Sequence, residues 1–128
     1  MTYEVAWEGR GAVKRFFGHV TEDDMLQSVL ETESDRRFDD LRYVINDFTD
    51  ITGSSVTLPT IEDIAIADIG ASHSNPSIRI AVVTTDPDIE ALVNHYANSP
   101  LNAYETRIFS SMEAARVWLG PTCPPLSP

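Results

Sequence analysis

Three aspartates, Asp47, Asp50 and Asp86, stand where short apolar runs give way to polar loops, and together they have the makings of a carboxylate site. Carboxylates at the C-terminal ends of parallel strands can hold Mg²⁺ with the help of waters. Phospho-acceptor receiver domains add a lysine to such a cluster. The only lysine of this chain, Lys14, falls in an N-terminal hairpin, so that comparison loses its cation and we expect no metal. The competing roles are structural, with Asp86 capping a helix and Asp47 anchoring loop amides. His19, His73 and His95 are scattered over a hairpin, a loop and a helix flank, without the spacing that brings metal ligands together. No glycine-rich phosphate loop follows a strand and no nucleophile elbow is recognisable. The residues call for no cofactor and give an enzyme no support.

A second candidate is apolar. From Thr60 to about Ile69 the chain reads as a helix whose core stripe is Ile61, Ile64 and Ala65, and the next position on that stripe, i+7 from Ile61, is Asp68. Ile66 points away from the stripe. The helix is apolar around most of its circumference and puts a carboxylate where a core residue should continue. Either it exposes Ile66 to a partner, a second subunit or an apolar ligand held against the sheet, or it ends or bends before Asp68, which then faces solvent. A ligand carrier needs a sizeable apolar pocket beneath Ile61 to Ile69, where Ile61, Ile64, Ile66, Asp68 and Ile69 are the candidate surface. A contact module needs a flat patch and no cavity.

The elements that position these residues follow from local pattern. Tyr3 to Glu8 alternates apolar and polar residues, Gly9-Arg10-Gly11 is a turn, and Ala12 to Val20 is a second extended run, which predicts a hairpin. Thr21 caps a first helix with Glu22, Asp23 and Asp24 in its first turn; Met25, Leu26, Val29 and Leu30 form the expected stripe, and the charge-rich stretch Glu31 to Asp40 ends it. Leu41 to Phe48 contains the continuous run Tyr43-Val44-Ile45, the mark of a strand buried on both faces, and the polar stretch Thr49 to Pro59 reads as its loop. Ile78 to Thr85 is another buried strand. Asp86-Pro87 starts a helix with Ile89, Leu92, Val93 and Tyr96 on one face, Tyr104 to Phe109 is the last strand, and Ser110 with Glu113 caps the final helix. Such alternation predicts a single α/β domain: an N-terminal β-hairpin, then βαβ-type units, giving a mixed but mostly parallel sheet with four helices. The domain is expected over residues 1–119, with a Pro-rich tail at 120–128.

The hairpin, Tyr43-Val44-Ile45-Asn46-Asp47, Ile80-Ala81-Val82-Val83 and the closing stretch Ile108 to Leu119 resemble the SpoIIAA-like, or STAS-like, proteins. The resemblance spans roughly Tyr3 to Leu119 and is most specific in the closing strand and helix. In the antagonists of that family a serine at the start of the helix after the central strand is phosphorylated by a partner kinase, which switches partner binding. The resemblance thus implies Ser54 or Ser55 as phospho-acceptor. This chain departs from the pattern, with Gly53-Ser54-Ser55-Val56 in place of Asp-Ser-Ser-Gly and Thr57-Leu58-Pro59 before the helix cap. It looks like the bacterial, less characterised SpoIIAA-like branch.

Composition bounds the partners. A formal net charge of -11 opposes binding to nucleic acid or to anionic lipid, both of which require cationic surface. No apolar run is long enough to span a bilayer, so no integral membrane segment is expected. Met1 to Val5 lacks the basic and apolar regions of a secretory signal, and the one cysteine, Cys123, excludes an internal disulfide; the cytoplasm is the expected setting. The expectation is therefore a non-enzymatic STAS-like binding or regulatory module acting through protein contact, with a homodimer among the options. The alternative is a small carrier of an apolar molecule.

Overall fold

A computed structural model describes residues 2–120. Strands β1 (Tyr3–Glu8) and β2 (Gly11–Val20) form the expected antiparallel hairpin, turned at Gly9 with φ of 50°. Then come α1 (Glu22–Ser34), a 3₁₀ turn (Arg36–Asp40), β3 (Tyr43–Ser54), α2 (Leu58–Ser72), β4 (Arg79–Val83), α3 (Pro87–Asn98), β5 (Glu105–Phe109) and α4 (Met112–Leu119). The five strands lie in the order β1-β2-β3-β4-β5, and every pair after the hairpin is parallel. The fold class is the one expected, a mixed and mostly parallel sheet with four helices.

Because each new strand adds on the same side of the last, right-handed crossovers carry α1, α2 and α3 onto one face. The opposite face is covered by α4, whose Ala115 and Leu119 pack on Tyr43, Ile45, Ala81 and Val83. Strand parity assigns the rest: on β2, Ala12, Lys14 and Phe16 point under the three helices. Phe16 stacks on Phe48 with ring centroids 4.6 Å apart and closes the core near the β1 edge. Gly11 faces the other way, where an added Cβ would overlap the Tyr43 ring.

Several boundaries differ from expectation for tertiary reasons. The polar stretch Thr49 to Ser54 is not loop but the second half of β3, paired with β2 as far as Val20 against Ser54. Its Asp50 and Gly53 are poor strand formers, and the ladder overrides that preference. Helix α1 runs through Glu31 to Ser34, and its buried positions are Ser28 and Thr32, whereas Leu30 is exposed. The two hydroxyls bond back to the carbonyls of Met25 and Ser28, at 2.8 Å each, which makes their burial tolerable. Helix α2 runs from Leu58 to Ser72, through Gly70, instead of from Thr60 to about Ile69, and Thr57 is its N-cap. Thr60 instead gives its hydroxyl to the Glu22 carboxylate. Ser111, not Ser110, caps α4 by accepting from the Ala114 amide. Of the expected tail, residues 121–128 lie outside the described residues.

Candidate functional site

The site begins with how α2 is held. Its buried side chains Ile61, Ile64 and Ala65 pack with Tyr96 and Leu92 of α3 and with Met25, Leu26 and Val29 of α1. Its main neighbours are therefore the two flanking helices, and it bridges them above the sheet instead of lying flat on the strands. A cavity of about 100 Å³ occupies the space beneath it. Periodicity explains the lining. Met25, Ser28, Val29, Thr32 and Glu33 of α1 fall at i, i+3, i+4, i+7 and i+8, and Ile61, Ile64 and Asp68 of α2 at i, i+3 and i+7. The sheet supplies the floor through Val44, Phe48, Ile80 and Val82.

Asp68 does not face solvent. It is 5% exposed, and the Tyr96 hydroxyl donates to its carboxylate. The helix therefore neither ends nor bends before it, and the account in which Asp68 is a solvated helix end is overturned. Ile66 is 61% exposed on the outer face of the same helix, while Ile69 is half-buried. Three further polar groups converge on the cavity with Asp68: Lys14 from β2, Glu33 from α1 and Asn46 from β3. Tyr104 reaches the same wall and donates its hydroxyl to the Asn75 carbonyl at 2.9 Å. The Asn75 side chain in turn donates to the carbonyls of Phe38 and Leu41, at 2.8 Å each, tying the end of α2 to the 3₁₀ turn.

Burial decides the electrostatics here. The Glu33 carboxyl is pushed up to about 9, first by burial and then by the Asp68 carboxylate within hydrogen-bond reach of it, against an opposing pull from Lys14. Glu33 therefore keeps its proton at neutral pH. Lys14 moves the other way, down to about 8, because burial outweighs the attraction of Asp68, Glu33 and Glu31. Burial and the nearby carboxylates raise the Tyr96 and Tyr104 hydroxyls far above the usual phenol, so both remain proton donors. Lys14 is 5% exposed, yet among the described residues none accepts a hydrogen bond or forms an ion pair with it.

The other sequence candidates are not brought together. Asp47 accepts from the Thr49 amide and hydroxyl in mid-strand, at 3.0 and 2.6 Å. Asp50 pairs with Arg15 at 2.6 Å, and Asp86 caps α3 by accepting from the Asp88 and Ile89 amides. Only Asp86 follows a strand end, because β3 continues past Asp47 and Asp50. Among the described residues no three His, Cys, Asp or Glu side chains gather as a metal site. Ser54 ends β3 and is half-buried; Ser55 is exposed, and its amide donates to the Val20 carbonyl. Both precede α2 without joining it.

Sequence reasoning missed Glu33, Lys14 and Tyr104 as members of one cluster. Lys14 carried a signal, since it alternates with the buried Ala12 and Phe16 on β2. Glu33 carried a weaker one, its i+8 spacing from Met25. Nothing local marks Tyr104.

No protein-family model matches the chain, and no curated protein matches it. Solved structures do. The anti-sigma factor antagonist SpoIIAA in its unphosphorylated form superposes with a TM-score of 0.62 at 9% identity, over 90% of this chain and 94% of that one. The fold is that of SpoIIAA. The phosphorylated form of the Bacillus cell fate determinant SpoIIAA gives a TM-score of 0.57 at 11% identity, over 88% of this chain and 95% of that one. An uncharacterised protein of Shewanella loihica with a SpoIIAA-like fold gives 0.53 at 17% identity, over 91% of each chain. Among the described residues of this SpoIIAA-like domain, no helix is long and apolar enough to cross a membrane.

Proposed function

We propose that the chain is a non-enzymatic binding module that takes up a small, mostly apolar molecule in the cavity beneath α2. The observation that carries this reading is the cavity itself, walled mainly by aliphatic and aromatic side chains, with Lys14, Glu33, Asp68 and Tyr96 also in its lining. Apolar walls with a few convergent polar groups are how small-molecule sites combine affinity with orientation. The volume is about two-thirds of the ~150 Å³ cavity that accepts benzene, so the occupant has about four to six non-hydrogen atoms. Titration with 1-butanol, followed by NMR, should move the methyl signals of Ile61, Ile64 and Val82 and the ring of Tyr96. Ile64→Phe, which fills the space, should weaken that binding about tenfold or more. Shifts confined to surface residues would sink the reading.

A second reading, regulatory contact with a protein partner or a second copy in the cytoplasm, draws on the outer face of α2. Leu58 and Ile66, eight residues apart, are both exposed there, and solved neighbours of the fold include an anti-sigma factor antagonist. The two readings are compatible, because α2 has the cavity on one side and the exposed pair on the other. Ile66→Asp should leave stability within about 0.5 kcal/mol of the parent and reduce self-association in sedimentation velocity. Unchanged sedimentation would remove the second-copy form of the idea.

A further inference from the structure

We propose that Lys14 captures small aldehydes or ketones as a Schiff base inside the cavity beneath α2. This rests on the binding reading above and names the class of molecule bound.

The composition is the first observation. The chain has nine Lys and Arg residues, and only Lys14 is a lysine. Surface lysines are common because they are soluble and cheap to hydrate; this chain leaves its surface cations to arginine and puts its lysine in the interior. Burial without pairing is the second. A lysine buried for structure alone is paired, because an unpaired ammonium in an apolar setting costs several kcal/mol. Lys14 has no hydrogen-bond or ion-pair partner among the described residues and lines a cavity wide enough for a ligand. The third is company. Glu33, which keeps its proton at neutral pH, lines the same cavity and is close enough to bear on Lys14 electrostatically.

Desolvation makes an amine nucleophilic by lowering its proton affinity. With its pKa near 8, about a quarter of Lys14 is free amine at pH 7.5, against about a thousandth of an ordinary lysine. The Lys14 nitrogen lone pair attacks the carbonyl carbon, and the carbonyl π pair moves to oxygen, which takes the Glu33 proton. The nitrogen returns a proton to Glu33, leaving a neutral carbinolamine. Glu33 then protonates the hydroxyl, the C–O bond breaks with loss of water, and the nitrogen lone pair forms C=N. Loss of the N–H proton to Glu33 restores the carboxyl. No oxidant or reductant takes part, and hydrolysis reverses the sequence.

The test treats the full chain with butanal and sodium cyanoborohydride at pH 7.5, followed by intact mass and peptide mapping. The N-terminal amine serves as the internal reference. Lys14 should acquire one butyl group at least about tenfold faster in the folded chain than in urea, where its pKa returns to the ordinary lysine value. Glu33→Gln, checked for folding by circular dichroism, should slow the trapping about 10- to 100-fold by removing the acid. Labelling of the N-terminus alone, or of Lys14 no faster than in urea, overturns the proposal. If 1-butanol still shifts the cavity methyls in that case, the binding reading stands and the covalent step falls. If neither butanal nor 1-butanol engages the cavity, both fall.

Discussion

Glu33→Gln should erase most of the dependence of folding stability on pH between about 5 and 8. In the folded chain the Glu33 carboxyl titrates at about 9, against an ordinary value of 4.5, because burial and the Asp68 carboxylate both disfavour its charge. Its folded value is raised, so the stabilisation it confers is fully present below the unfolded value and is lost as pH climbs toward 9. Between these limits the native state holds one proton that the unfolded state has released, and stability falls by about 1.4 kcal/mol per pH unit. Over three units that is about 4 kcal/mol. Water screens a side chain that is only half-buried, so we halve this to about 2 kcal/mol. Few other shifted groups intrude. Glu8, Asp24 and Asp35 are held below their ordinary values, so their stabilisation is complete above about pH 5 and is lost only below it. Lys14 is lowered to about 8, so its effect has the opposite sign and begins near the top of the window. Urea titrations at pH 5, 6, 7 and 8, followed by tryptophan fluorescence, supply the comparison. The parent should lose stability across the series while the glutamine variant stays nearly level. Parallel profiles for the two proteins, or a parent whose stability rises with pH, would refute the retention of the Glu33 proton in the folded chain.

Two further substitutions test the frame around the cavity. Asn75→Ala removes one of two donors from each of the Phe38 and Leu41 carbonyls, which keep the Leu41 amide and the Arg42 guanidinium, and should cost about 1–2 kcal/mol by urea denaturation; a loss under 0.5 kcal/mol would mean that water replaces the amide without penalty. Gly11→Ala drives a methyl into the Tyr43 ring and strains its 2.9 Å hydrogen bond to Glu8, so it should cost about 1–3 kcal/mol, whereas Gly53→Ala, with only the His19 ring at 3.4 Å, should cost less. Equal midpoints for the two alanine variants would contradict this packing.

Local chemistry made much of the fold legible. Thr21 and Asp86 cap α1 and α3 as their sequence context indicates, because a cap depends on a side chain and amides two or three residues away. Tyr43-Val44-Ile45 reads as a buried strand because residues covered on both faces have no polar positions to alternate with. Where a neighbour in space decides, local reading fails. Thr49 to Ser54 is strand only because β2 is there to pair with it, and Leu30 is exposed because the stripe of α1 turns toward the cavity through Ser28 and Thr32. The candidate site shows the same division. Asp68 stands out in sequence as a carboxylate on an apolar stripe, but whether it meets water or a tyrosine depends on how α3 packs against α2.

By itself the sequence determined the order of elements, the hairpin followed by parallel strands, the absence of a basic surface, and the oddity of α2. These follow from periodicity, capping and charge, which act over one or two turns of chain. Only the tertiary structure decided that α2 bridges α1 and α3 and leaves a cavity above the sheet. It alone placed Lys14, Glu33, Asp68 and Tyr96, of which the first and last are 82 positions apart in sequence, around that one space. The reason is physical: desolvation and the field of neighbouring charges are properties of a volume, and no segment of the chain encloses that volume alone.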